Sequence, residues 1–60
     1  MLIKLTEARK AGGYTKYRLA KLSGVSQSFI GKIEKGTENP SSETLEKLAN
    51  ALKISIKDLF

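Results

Sequence analysis

Sixty residues without a cysteine or a histidine must hold their fold chiefly by apolar packing. A chain this short buries only about 60% of the surface its unfolded form exposes, so every core side chain counts. No disulfide can form, and a zinc site would have to rely on carboxylates, a donor set that metal rarely accepts. The same two absences remove the commonest nucleophile–base pairs of hydrolases, so neither enzyme chemistry, a metal nor a cofactor is expected. The 40% apolar content is enough for a core, and one proline with five glycines argues against disorder or a fibrous repeat. The longest unbroken apolar run is Met1-Leu2-Ile3, too short for a membrane span or a signal-peptide core. Residues 1–60 are expected to form a single all-α domain.

Charge is unevenly spread. Residues 1–36 hold eight basic side chains (Lys4, Arg9, Lys10, Lys16, Arg18, Lys21, Lys32 and Lys35) against two acids, Glu7 and Glu34, a local excess of +6. Residues 37–60 carry three basic groups and four acids, a balance of −1. An excess confined to one half points to a polyanionic partner.

Punctuation and spacing divide the chain into five helical segments. The first is expected from about Leu2 to Lys10, with Leu2, Leu5, Ala8 and Arg9 on one face and Gly12-Gly13 as a left-handed exit. Thr15 stands as N-cap for a helix over about Lys16 to Ser23, whose apolar positions are Leu19, Ala20 and Leu22. Gly24 ends it. Ser26 caps the third segment, about Gln27 to Lys35, and Gly36 stops that one. Asn39-Pro40 marks a loop, since the residue before proline is pushed out of the helical region. Ser41 caps a fourth helix, about Ser42 to Leu52, burying Leu45, Leu48, Ala49 and Leu52. Ser55-Ile56-Lys57-Asp58 reads as a capping box opening a short final helix. No stretch alternates with period two for long enough to be a strand.

Gly24-Val25-Ser26 is a three-residue link between the second and third segments. A left-handed residue at its start turns the chain sharply, as in a helix-turn-helix, although any compact αα-corner shares that pattern. On the third segment Ile30 and Ile33 point one way, while Gln27, Ser28, Gly31, Lys32 and Lys35 form the opposite stripe. That stripe holds amide, hydroxyl and ammonium groups and no carboxylate. Such groups suit base edges: glutamine pairs with adenine, lysine reaches guanine O6 and N7, and serine accepts either. Gly31 sits among them although glycine costs a helix about 1 kcal/mol relative to alanine. A bare backbone there would allow close approach to a groove.

Tyr14-Thr15-Lys16-Tyr17-Arg18-Leu19-Ala20, the run Gly24 to Gly36, Asn39-Pro40-Ser41 and the run Leu45 to Leu52 follow one another at fixed spacings. In this order they resemble the phage-repressor-like regulators, the Cro and lambda-repressor group of XRE-type helix-turn-helix domains. The resemblance covers about Leu5 to Leu59. It implies a compact five-helix domain whose third helix enters the major groove of double-stranded DNA. By position, Gln27, Ser28 and Lys32 resemble base-reading residues, and Lys16, Arg18, Ser26, Phe29, Lys35 and Thr37 resemble contacts to the sugar-phosphate backbone. Phe29 has an alternative, partial burial against the second helix. The resemblance also implies an ion pair between Arg9 and Glu34, which accounts for an acid in an otherwise positive helix.

Two positions depart from the family pattern. Lys16 stands where a glutamine is usual; it keeps a phosphate donor but cannot accept a hydrogen bond from Gln27. Arg18 stands where a glutamate often completes a capping box. The function so implied is sequence-specific DNA binding without catalysis, usually repression, by a homodimer on a two-fold operator with half-sites about 34 Å apart. The family context implies a cytoplasmic, nucleoid-associated protein of bacterial or phage origin, with no membrane and no small-molecule ligand. Leu59-Phe60 with Ile56 is expected either to meet a second copy or to finish the core. The alternative function is an antitoxin or regulatory protein-interaction module on the same fold.

Overall fold

The computed structural model describes residues 4–60 as four α-helices and a closing 3₁₀ turn. The helices are α1 (Leu5–Ala11), α2 (Lys16–Ser23), α3 (Gln27–Lys35) and α4 (Ser42–Leu52), and the turn spans Ile56–Leu59. No strand occurs among the described residues.

Side-chain caps set three of the helix starts. Thr15 Oγ1 accepts from the Arg18 N–H at 3.0 Å, Ser26 Oγ from the Phe29 N–H at 3.1 Å, and Ser41 Oγ from the Thr44 N–H at 3.2 Å. Each bond satisfies a donor that the first turn of a helix leaves unpaired. The first helix has no such cap, and it begins later than the sequence predicts. Lys4 is its non-helical first flank, and the Lys4 N–H donates to the Leu59 carbonyl at 2.6 Å. That bond ties the chain start to the closing turn in place of a further helical residue. Of the predicted segment, Leu2 and Ile3 lie outside the described residues. At its other end α1 reaches Ala11, one residue past Lys10.

The two glycines after α1 serve different purposes. Gly13 takes the left-handed conformation, φ 77°, whereas Gly12 stays near the helical region at φ −87°. A Cβ on Gly12 would fall 2.6 Å from the Tyr14 ring, so that position answers to packing and not to backbone handedness. Gly24 is left-handed at φ 77°, which turns α2 into the short link to α3.

The core is formed by Leu5, Leu19, Val25, Ile30, Ile33, Leu45, Leu48, Ala49, Leu52 and Leu59. α2 packs on α3 and α4, α1 packs on α3, and the closing turn covers the ends of α1 and α4. Leu22, an expected apolar position of α2, and Phe60, expected either to finish the core or to meet a second copy, are outside it. Leu22 is 50% exposed and Phe60 is 52% exposed. In α2 the covered residues are Lys16, Leu19, Ala20 and Ser23. At about 100° per residue Leu22 lies about 110° from the centre of that arc, beyond the reach of α3 and α4. Leu59, fully enclosed, fills the end of the core, and the next residue, Phe60, points outward. The short final helix is a 3₁₀ turn opened by the expected capping box; the Ser55 N–H donates to Asp58 Oδ2 at 3.2 Å. Four residues closed by that box fit the tighter i to i+3 bonding of such turns.

Leu48→Ala should therefore cost about 2–5 kcal/mol, most of the stability of a domain this size. Leu22→Ser should stay within about 0.5 kcal/mol of the parent. Urea midpoints of both variants check this, and equal losses would contradict the burial pattern.

Candidate nucleic-acid interface

Ile30 and Ile33 anchor α3 in the core, and this fixes what its opposite side presents. Lys16, Gln27, Ser28, Gly31, Lys32 and Lys35 line one shallow hollow on that side. Three ammonium groups, an amide and a hydroxyl surround it, with no carboxylate among the lining residues. The hollow joins α3 to the first turn of α2, because Lys16 lies on the flank of α2 that leans toward α3.

The other sequence-predicted residues are placed less uniformly. Ser26 caps α3 through an acceptor bond, which leaves its own hydroxyl proton available to an outside oxygen. Thr37 is engaged within the fold: its Oγ1 donates to the Lys32 carbonyl at 3.1 Å, and its N–H reaches the same carbonyl at 3.0 Å. Thr37 thus closes the last turn of α3. Phe29 is half-buried and packed against the core. Arg18 is exposed and does not line the hollow. Two residues after Lys16 on a helix, it lies about 160° around the axis from that side chain.

Among the described residues one ion pair is buried, that of Arg9 with Glu34. Arg9 Nε donates to Glu34 Oε2 at 2.8 Å, Nη2 to Oε1 at 3.2 Å, and Nη1 to the Tyr14 carbonyl at 2.8 Å. The two side chains are 9% and 7% exposed. Burial pushes the Glu34 carboxyl up, but hydrogen bonds from Arg9 and Thr6 and the positive charges of Arg9 and Lys16 outweigh it. The net result is a carboxyl held below its ordinary range. The hydrogen bond to Glu34 raises Arg9, burial opposes it, and the charge of Glu34 adds to the rise. The acid of α3 is thereby turned into the fold and neutralised there, leaving the outward side positive.

Two residues on α2 were not singled out by sequence as site residues. Lys21 Nζ stands 5.4 Å from the centre of the Tyr17 ring, and both border a second hollow with Ser26 and Gln27. The spacing of an aromatic four residues before a lysine on one helix was the available signal. No group of His, Cys, Asp or Glu among the described residues could hold a metal ion. No helix there is long and apolar enough to cross a membrane.

Two capped helices joined through a left-handed glycine, with a basic carboxylate-free side on the second, define a helix-turn-helix domain. The helix-turn-helix family model matches residues 5–59, and the chain belongs to that family, in its XRE-type, Cro and lambda-repressor-like branch. It is 43% identical over 53 residues to the HTH-type transcriptional regulator SlrR of Bacillus subtilis, covering 87% of this chain and 35% of SlrR. With the HTH-type transcriptional regulator YazB of the same organism it shares 41% over 51 residues, 85% of this chain and 74% of YazB. The chain therefore spans about a third of the length of one relative and three quarters of the other. Among solved structures, the restriction-modification controller protein C.AhdI from Aeromonas hydrophila superposes with a TM-score of 0.90 at 43% identity, over 93% of this chain and 85% of that one. The N-terminal DNA binding domain of SinR from Bacillus subtilis gives 0.83 at 34% identity, over 90% and 80% respectively.

Glu34→Gln should destabilise the domain by about 3 kcal/mol, the low end for breaking a buried pair, since water is never far in so small a fold. A carboxyl whose folded pKa is lowered adds stability that is present above the unfolded value and lost as pH falls through the folded one. The gap between parent and variant should be fully open above about pH 5 and close under acid. Melting temperatures of both proteins across this range are the check; a gap that persists at low pH would contradict the assignment.

Proposed function

We propose that the chain is a sequence-selective double-stranded DNA-binding transcriptional regulator, acting as a repressor, with α3 seated in the major groove. The observation that carries this reading is the carboxylate-free hollow over α3, whose lining residues match base and phosphate chemistry. Gln27, Ser28 and Lys32 read bases. Lys16, Lys35 and Ser26 donate to phosphates at the edges of the groove. Arg18 contributes to the positive field from the far side of α2. Thr37 and Phe29 act on this surface indirectly, by closing α3 and by holding it against the core.

The similarity to the DNA binding domain of SinR and to the controller protein C.AhdI supports the same reading. Residues 1–60 act as one domain. One recognition helix reads only a few base pairs, so selectivity comes from a homodimer on a two-fold site. Phe60, half exposed at the end of the closing turn, is one apolar side chain available for contact between copies, as is Leu22. Occupying a promoter in this way would exclude polymerase, with no catalysis.

The test is selection from a randomised duplex pool, followed by a salt titration on the enriched site. A two-fold-related sequence is the expected outcome. Lys32→Ala should relax preference at particular bases, at a cost of about 1–3 kcal/mol. Lys35→Gln should weaken all sites alike and reduce the salt slope by about 1. Sequence-blind binding would contradict the proposal and mean a purely electrostatic surface, whereas no binding even at low salt would contradict it and favour a protein partner.

A further inference from the structure

Gly31 is the one glycine whose presence the fold does not explain. Gly12 yields to the Tyr14 ring, and Gly13, Gly24 and Gly36 are left-handed. Gly31 lies mid-helix in right-handed backbone, and a Cβ placed there would meet nothing within 4 Å beyond its chain neighbours and the backbone of its own helix. Alanine at such a position favours the helix about fivefold, so the fold alone would do better without the glycine.

Its surroundings supply a reason outside the fold. Gln27 and Ser28 stand one turn before it, Lys32 and Lys35 follow, and Lys16 closes the rim, with Gly31 as the bare floor. The polar arms around the rim can reach the donors and acceptors of a base edge. The floor cannot, because its peptide groups lie within the helix bonding of α3 and only a Cα faces outward. A floor that offers van der Waals contact alone complements an apolar projection. The major groove of DNA presents one such group, the C5-methyl of thymine.

We propose that Gly31 is a specificity-determining residue: its bare Cα forms a seat for a thymine methyl beside the base read by Gln27. The inference rests on the reading of α3 as the recognition helix. Discrimination here is by shape, since any side chain at residue 31 would occupy the volume the methyl needs.

The test uses the duplex selected by the parent protein, with each thymine replaced singly by deoxyuridine, which removes only the methyl. Affinities are measured by fluorescence anisotropy for the parent and for Gly31→Ala, and melting temperatures are taken on the same samples. The parent should lose about fourfold at one thymine in each half-site, the worth of one buried methyl. Gly31→Ala should melt at the same temperature or higher, bind the thymine duplex more weakly, and show no preference for thymine over uracil there. An unchanged affinity with the same thymine preference would overturn the seat. So would a parent indifferent to uracil at every position. If the parent selects no sequence at all, the DNA-reading function fails, and the seat fails with it. That outcome is distinct because it appears before any modified duplex is used.

Discussion

The Arg9 guanidinium spends three of its donors inside the fold, two on Glu34 and one on the Tyr14 carbonyl. Three parts of the chain meet there: α1, the last residue of α3 but one, and the segment leading into α2. Dehydrating two charges is expensive, so such a pair adds less net stability than its bond count suggests. Its consequence is geometric. A chain with no disulfide and no metal has few means of fixing one helix against another, and this fork sets α3 against α1 while holding the approach to Lys16. It also removes the acid of α3 from the side that carries Gln27, Ser28 and Lys32. The positive hollow exists because its nearest negative charge is directed inward and neutralised.

The core and the outward surface of α3 are then two sides of one constraint. Ile30 and Ile33 are enclosed, so the residues between them in the helical cycle must face out. Ser26 contributes to both, since the oxygen that caps α3 still carries a proton for an external partner. Lys16 belongs to the hollow through its position on the inner flank of α2, whereas Arg18, two residues on, is carried to the other flank. A lysine-rich composition alone would not separate these two cations; the rotation of α2 does.

Much of this was legible in the sequence because the signals were local. Thr15, Ser26 and Ser41 are side-chain caps, Gly24 and Gly36 are left-handed stops, and the bounds of α2, α3 and α4 follow from them. The departures fall where the determinant is remote. The start of α1 depends on a bond from Lys4 to Leu59, at the opposite end of the chain. The exposure of Leu22 depends on which arc of α2 its neighbours cover. α4 ends at Leu52 as expected, but its left-handed cap is Lys53 at φ 60°, a conformation that a lysine does not announce. In the candidate site, the outward stripe of α3 and the Arg9–Glu34 pair were visible from spacing and family resemblance. The engagement of Thr37 with the Lys32 carbonyl required the folded geometry to see.

DNA is proposed to meet this domain on α3 and the first turn of α2. Amide chemical-shift mapping of the folded protein, titrated with its selected duplex, tests it most directly. The largest shifts should cluster at Lys16 and from Ser26 to Lys35, with α1 and the outer side of α4 little changed. Shifts centred on α4 and Phe60, with the hollow over α3 undisturbed, would contradict it.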